Sequence, residues 1–288
     1  MDVAAITIIQ IVNMIAMLAL MSIGLAIIFG MMRVINLAHG EFLMLGTYAV
    51  LVPSKLGVNL WVSMFIIAPI FVGVVGVIVE RLVVRFLYGR MMDTLLATWG
   101  LSLLITGVMT TIFGNTMEGV STPFGNFQIG EIAESQYKFF VIGVAVALMV
   151  AVYIVLKRTK LGLIARGTMQ NANMASALGV SPSAVYTATF GIGAALTGLA
   201  GAVLAPVIGA SPTLGVAYVA KAFITVIGGG QAILAGTVSA SGAFGVINQV
   251  VTFFTTSVLG EVALLIGAVL LLRALPQGIT GRFFRRSL

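Results

Sequence analysis

Six stretches of this chain contain no charged residue: Val3 to Met32, Leu56 to Val79, Thr94 to Met117, Phe139 to Leu156, Gly167 to Ala220 and Ala222 to Gly260. A helix crosses the hydrocarbon core of a bilayer with about 20 apolar residues, so runs of this length specify several membrane spans. With 60% hydrophobic residues, 8% charged ones and a mean hydropathy of +1.17, the chain cannot form a water-soluble domain. Backbone groups in lipid must be satisfied within the chain, and these runs are too continuously apolar for the alternation of barrel strands. The expected fold is all-α, a polytopic membrane helical bundle formed by one transmembrane domain over residues 1–288.

The first apolar run lacks a basic leading segment and a small-residue cleavage site, and it far exceeds the roughly 7 to 15 residue core of a secretory signal. It reads as a retained first helix. With no cysteine there is neither a disulfide nor a thiolate metal site. The net charge of +7 is gathered in short segments between spans, where membrane topology requires it, so it indicates membrane lipid as a partner and no nucleic acid.

Arg81, Arg85 and Arg90 form one basic group, Lys157, Arg158, Lys160 and Arg166 a second, and Arg282, Arg285 and Arg286 a third. The positive-inside rule assigns all three to the cytoplasm. Between the first two groups, Gly114 to Gln136 carries Glu118, Glu131 and Glu134 and no basic residue, which makes it periplasmic. Working back through spans at about Leu60 to Val79, Glu41 to Pro53 and Ala5 to Met32 places the N-terminus in the periplasm, and the basic tail keeps the C-terminus in the cytoplasm. About eight membrane segments are expected. Two are short: Phe42 to Ser54, and Val216 to Ile227 ahead of Gly228, Gly229 and Gly230. At about 1.5 Å per residue neither spans a core of roughly 30 Å, so both read as broken helices. Interrupted segments in the two halves of a chain point to a translocation path.

The stretch Arg33-Val-Ile-Asn-Leu-Ala-His-Gly-Glu-Phe42 sets an arginine, Asn36, the only histidine, His39, and Glu41 at such a break. Ionisable groups at membrane depth are candidates for function. A structural role also fits, with Arg33 snorkelling to the interface and Glu41 capping the next helix. A second polar group, Thr94, Thr98 and Ser102 beside Trp99, repeats at steps of four and shares one helical face. Its hydroxyls suit either a polar cargo or helix packing. Glu80, Lys221 and Glu261 read as isolated charges near span ends, with a pore role open for Lys221. Gly191, Gly193, Gly198 and Gly201 have the spacing of close helix packing. Gly228-Gly229-Gly230 has no following Gly-Lys-Ser or Gly-Lys-Thr, so the chain carries no ATP site.

The longest cytoplasmic loop, 157–182, carries a helical pattern from Met169 to Leu178, with Met174 and Leu178 four apart and Gly179 as its C-cap. Its apolar edge suits a groove on a partner. One histidine, no cysteine and eight scattered acids supply neither a metal cluster nor a nucleophile with its base, so no catalytic residue, metal or cofactor is expected.

Val34 to Phe42, Leu95-Leu-Ala-Thr-Trp-Gly-Leu101, Asn171 to Gly179 and Thr189 to Gly201 resemble the permeases of branched-chain amino acid and urea ABC importers. The resemblance covers nearly the whole chain. It implies a multi-pass permease of a bacterial inner membrane, working by ATP-driven alternating access with a second homologous permease, two cytoplasmic ATPases and a periplasmic binding protein. The segment from Ala165 to Gly179 would be the coupling helix that docks in the ATPase groove, with Arg166, Asn171, Met174, Leu178 and Gly179 carrying the contact. Asn36, His39 and Glu41 would lie beside the pathway. The Leu95 to Leu101 string is closer to the urea and short-chain amide branch, whereas the Asn115 to Gln128 loop and the Gly228 to Gly230 run depart from it. Two rivals belong to other classes: a passive channel for urea or water, and a secondary transporter moving protons through His39 and Glu41.

Overall fold

The structure, a computed structural model, describes residues 2–129, 132–230 and 232–283. Glu131, Arg285 and Arg286 lie outside the described residues, as does the side chain of Arg282. The elements in chain order are α1 (Asp2–Met32), α2 (His39–Lys55), α3 (Leu60–Leu82), α4 (Met91–Phe113), β1 (Asn126–Ile129), β2 (Ile132–Ser135), α5 (Tyr137–Arg158), α6 (Lys160–Gln170), α7 (Ala172–Ala177), α8 (Pro182–Ile208), α9 (Leu214–Gly229), α10 (Ile233–Phe254), α11 (Ser257–Ala274) and α12 (Gly278–Phe283). The fold is the expected all-α polytopic bundle. Seven helices among the described residues, α1, α3, α4, α5, α8, α10 and α11, are long and apolar enough to cross a membrane. The short α2 and α9 fall at the two broken segments expected from the sequence. The β1–β2 hairpin, paired antiparallel, was not foreseen.

Helix boundaries follow local chemistry. The side chains of Asn59, Thr159, Asn171, Ser181 and Thr256 each accept a hydrogen bond from a backbone N–H of the helix that follows, filling donors a helix start leaves open. Pro182 opens α8, where its missing N–H is not needed. Within α3, residues Ser63–Ile67 form a π-helical turn.

The chain divides into two compact units. One comprises Ile23–Val120 and Met149–Ala220 and is organised by α2, α3 and α8. Its helices meet through glycine: a Cβ on Gly46 would strike the carbonyl of Gly198, and one on Gly201 the carbonyl of Leu43. Gly198 in turn faces Val72 of α3. The glycine spacing in α8 is thus a packing seam, as small residues are in membrane helix pairs. Phe42 and Phe190 meet edge to face at 6.1 Å beside it. At one end of this unit Lys55 is ion-paired with Glu118, which bridges to Ala210 through backbone hydrogen bonds.

The other unit comprises Met1–Ser22, Ser121–Leu148 and Lys221–Leu288. Its apolar centre is Leu18, Ala240, Phe244, Leu264 and Ala268. Gln249 donates to Gln10, Gln10 donates to Glu134, and Lys138 pairs with Glu134. Burial works against the Glu134 charge, but its bonds to Lys138 and Gln10 prevail and hold its carboxyl below the ordinary carboxylate range.

Candidate substrate-pathway site

The break after α1 has a definite cause. Arg33 has φ of 52°, the sole non-glycine residue with positive φ in the structure described, and this left-handed turn stops the helix at a price of about 1 to 2 kcal/mol. The chain then runs non-helically from Val34 to Ala38 with Val34, Asn36 and Ala38 buried. Irregular backbone is tolerated there only if its polar groups are satisfied within the protein. The Oδ1 of Asn36 accepts from Ala38 N–H at 3.1 Å, and the Asn36 carbonyl accepts from His39 N–H at 3.2 Å. Leu37 N–H donates to Thr98 Oγ1 at 3.1 Å, so a hydroxyl of α4 reaches across to pin the break.

His39, Gly40 and Glu41 form the first turn of α2, and all three are buried. A Cβ on Gly40 would fall on the carbonyl of Gly215, which draws the start of α9 onto the start of α2. Thr197 Oγ1 donates to the Gly193 carbonyl at 2.8 Å and lies 3.4 Å from Nδ1 of His39, within hydrogen-bond reach. The Glu41 carboxylate takes its own backbone N–H together with the hydroxyls of Ser102 and Thr106, the last at 3.4 Å. This supports the expected place of Glu41 at a helix start. Asn36 Nδ2 and Glu41 Oε2 have no hydrogen-bond partner among the described residues although both side chains are fully buried. One unfilled donor and one unfilled acid oxygen on the same short segment are what a ligand bearing both charges would satisfy.

The hydroxyl stripe of α4 is assembled as its spacing implied, with Thr94, Thr98 and Ser102 all buried. Thr94 donates to the carbonyls of Leu87 and Arg90, which ties it to the preceding loop. Trp99, next to the stripe in sequence, is 54% exposed. Thr106 and Thr197 were missed, although Thr106 continues the four-residue step from Ser102. Lys221 belongs to the other unit and makes an ion pair with Glu261 at 2.6 Å, so neither is the isolated charge expected. Glu80 is likewise not isolated: it is fully buried and accepts from the Tyr88 hydroxyl. Burial, then the bond to Glu80 and its charge, push the Tyr88 hydroxyl far above the usual tyrosine range.

The loop expected to carry one helix from Met169 to Leu178 holds two. Asn171 interrupts the run because its side chain accepts from Met174 N–H and starts α7 afresh, leaving α6 to end at Gln170. Gly179 follows with φ of 84°, as expected of a C-terminal glycine. Arg166 turns its Nε back to the Gly162 carbonyl at 3.3 Å. Leu161, Met174 and Leu178 are exposed. Among the described residues no three metal-ligating side chains gather.

The family described as "Branched-chain amino acid transport system / permease component" matches residues 7–275. A high-affinity branched-chain amino acid transport system permease protein, BraD of Pseudomonas aeruginosa, is 27% identical over 228 residues, covering 74% of each chain. The corresponding LivH protein of Escherichia coli is 25% identical over 282 residues, covering 92% of this chain and 91% of its own. A probable LivH of Methanocaldococcus jannaschii is 24% identical and covers 92% and 89%. No solved structure matches. These relatives lend the urea and amide lean no support. The match spans both units and nearly every helix, and the chain belongs to the permease components of branched-chain amino acid transport systems, multi-pass, non-catalytic membrane subunits of ABC transporters whose ATP hydrolysis takes place on a separate subunit.

Proposed function

We propose that this chain, paired with a second related permease, imports branched-chain or similarly hydrophobic amino acids by ATP-driven alternating access, with two ATPases on the cytoplasmic side and a binding protein on the periplasmic side. The observation that carries the reading is the buried break between α1 and α2, where Asn36 Nδ2 and Glu41 Oε2 stay unpartnered beside the Thr98, Ser102 and Thr106 hydroxyls. The relatives' names supply the substrate class. In this account Asn36, His39 and Glu41 frame the pathway, with Thr94, Thr98 and Ser102 opposite. The loop 157–182 couples the permease to the ATPase through Arg166, Asn171, Gly179 and the exposed Met174 and Leu178. The N-terminus is periplasmic and the C-terminus cytoplasmic in the inner membrane. Coupling requires each nucleotide state to favour one permease conformation.

The test is reconstitution of the chain with its partner permease, ATPases and binding protein, and uptake of labelled leucine, urea and acetamide in the same vesicles. Leucine uptake that needs ATP and binding protein supports the reading. Conduction by this chain alone without ATP would establish a channel, and loss of uptake on collapse of a proton gradient with ATP still supplied would establish a proton-coupled carrier.

A further inference from the structure

Within the unit that holds the break, a cavity of about 510 Å³ opens between the end of α1, the α3–α4 loop, the end of α6 and the start of α8. That is the size of a small-molecule site. Its lining has two characters. Met31, Met32, Met91 and Met169 supply soft, unbranched apolar surface, which adapts to aliphatic groups of different shape. Arg33 and Arg90 supply the charge. Arg90 is engaged with Asp93 at 3.8 Å. Tyr88, which also lines the cavity, has its hydroxyl committed to Glu80 and its ring edge-on to Tyr186 at 5.0 Å. The Arg33 side chain makes no hydrogen bond or ion pair among the described residues, is exposed, and sits on the left-handed turn that ends α1. A guanidinium with no partner among the described residues thus stands on a strained turn, in a cavity whose lining holds no acidic residue.

The geometry points to this cavity as a second cargo site, distinct from the buried break, in which Arg33 takes the carboxylate of an aliphatic amino acid while the methionines receive its side chain. An inorganic phosphate would use the guanidinium and leave the methionine surface unfilled; an anionic lipid would use both and is separated below. The inference rests on the proposed amino acid cargo, since that supplies a carboxylate joined to an apolar side chain.

The chain has no cysteine, so Gln170→Cys places a unique thiol of this subunit at the cavity wall. In the assembled transporter in nanodiscs, the maleimide modification rate of that thiol is measured with leucine, leucinol, inorganic phosphate, and with or without anionic lipid. Leucine slows modification about tenfold at roughly nine times its Kd, leucinol does not, Arg33→Gln removes the protection and Arg33→Lys restores part of it. In a Gln170→Cys transporter that itself takes up leucine, equal protection by leucine and leucinol, or none by either, overturns the site with Arg33 intact, so the result does not depend on the Arg33 variants folding. Protection by phosphate alone, or only where anionic lipid is present, overturns the cargo assignment. If the unmodified transporter takes up no leucine, the proposed function itself has failed; if it takes up leucine but leucine does not shield the thiol, only the cavity site has.

Discussion

Thr98 does two jobs that a threonine in a membrane helix usually does not combine: it returns a bond to its own helix, and it accepts the Leu37 N–H that the broken segment leaves open. Thr98→Val is expected to lower stability by about 1 kcal/mol because it removes the partner of a half-buried N–H, read as the thermal midpoint of the purified complex. Glu134 gives a pH signature outside the membrane. Its folded carboxyl lies below the ordinary value of 4.5, so its contribution is fully present above about pH 4.5 and is lost as pH falls through the folded value. Glu134→Gln should flatten the acid side of the stability profile and leave the neutral side of its slope unchanged. The polar residues of the break were legible in the sequence because charge and asparagine are rare in apolar runs. Their partners were not, since Thr197 lies 158 residues from His39 and nothing local marks it.

The glycine seam of α2 and α8 was legible as small-residue spacing, but not which glycines meet. Gly46 and Gly201 face backbone carbonyls, leaving no flexible atom to yield. Gly201→Ala should destabilise by roughly 1 to 3 kcal/mol, measured by thermal unfolding, whereas Gly100→Ala, with open space around it, should not. The loop 157–182 shows how periodicity misleads. Met169 to Leu178 carries the apolar spacing of one helix, yet the Asn171 side chain competes for the backbone and splits it. Gly179→Ala forces a side chain into the left-handed region at about 1 kcal/mol locally. The expected readout is a lower ratio of leucine imported to ATP hydrolysed, with the ATPase rate retained.

The architecture as a whole was read from the uncharged runs, because lipid admits so few ways to satisfy a backbone. The hairpin of β1 and β2 was hidden, since two four-residue strands leave almost no pattern in a polar loop. The two short helices, α2 and α9, were visible as interruptions, and their meeting at Gly40 and Gly215, with the contact of His39 and Thr197, joins the first half of the chain to the second at the break. That meeting makes the α1–α2 break the centre of the transport account. The most direct test is leucine uptake and ATP hydrolysis followed in the same vesicles for the wild-type transporter and for Glu41→Gln, a change that keeps shape and hydroxyl partners but removes the buried acid. The expected result is uptake reduced about tenfold or more, equivalent to about 1.4 kcal/mol, with binding-protein-stimulated ATP hydrolysis preserved. Unchanged leucine uptake in Glu41→Gln, or wild-type uptake that continues without ATP, would contradict it.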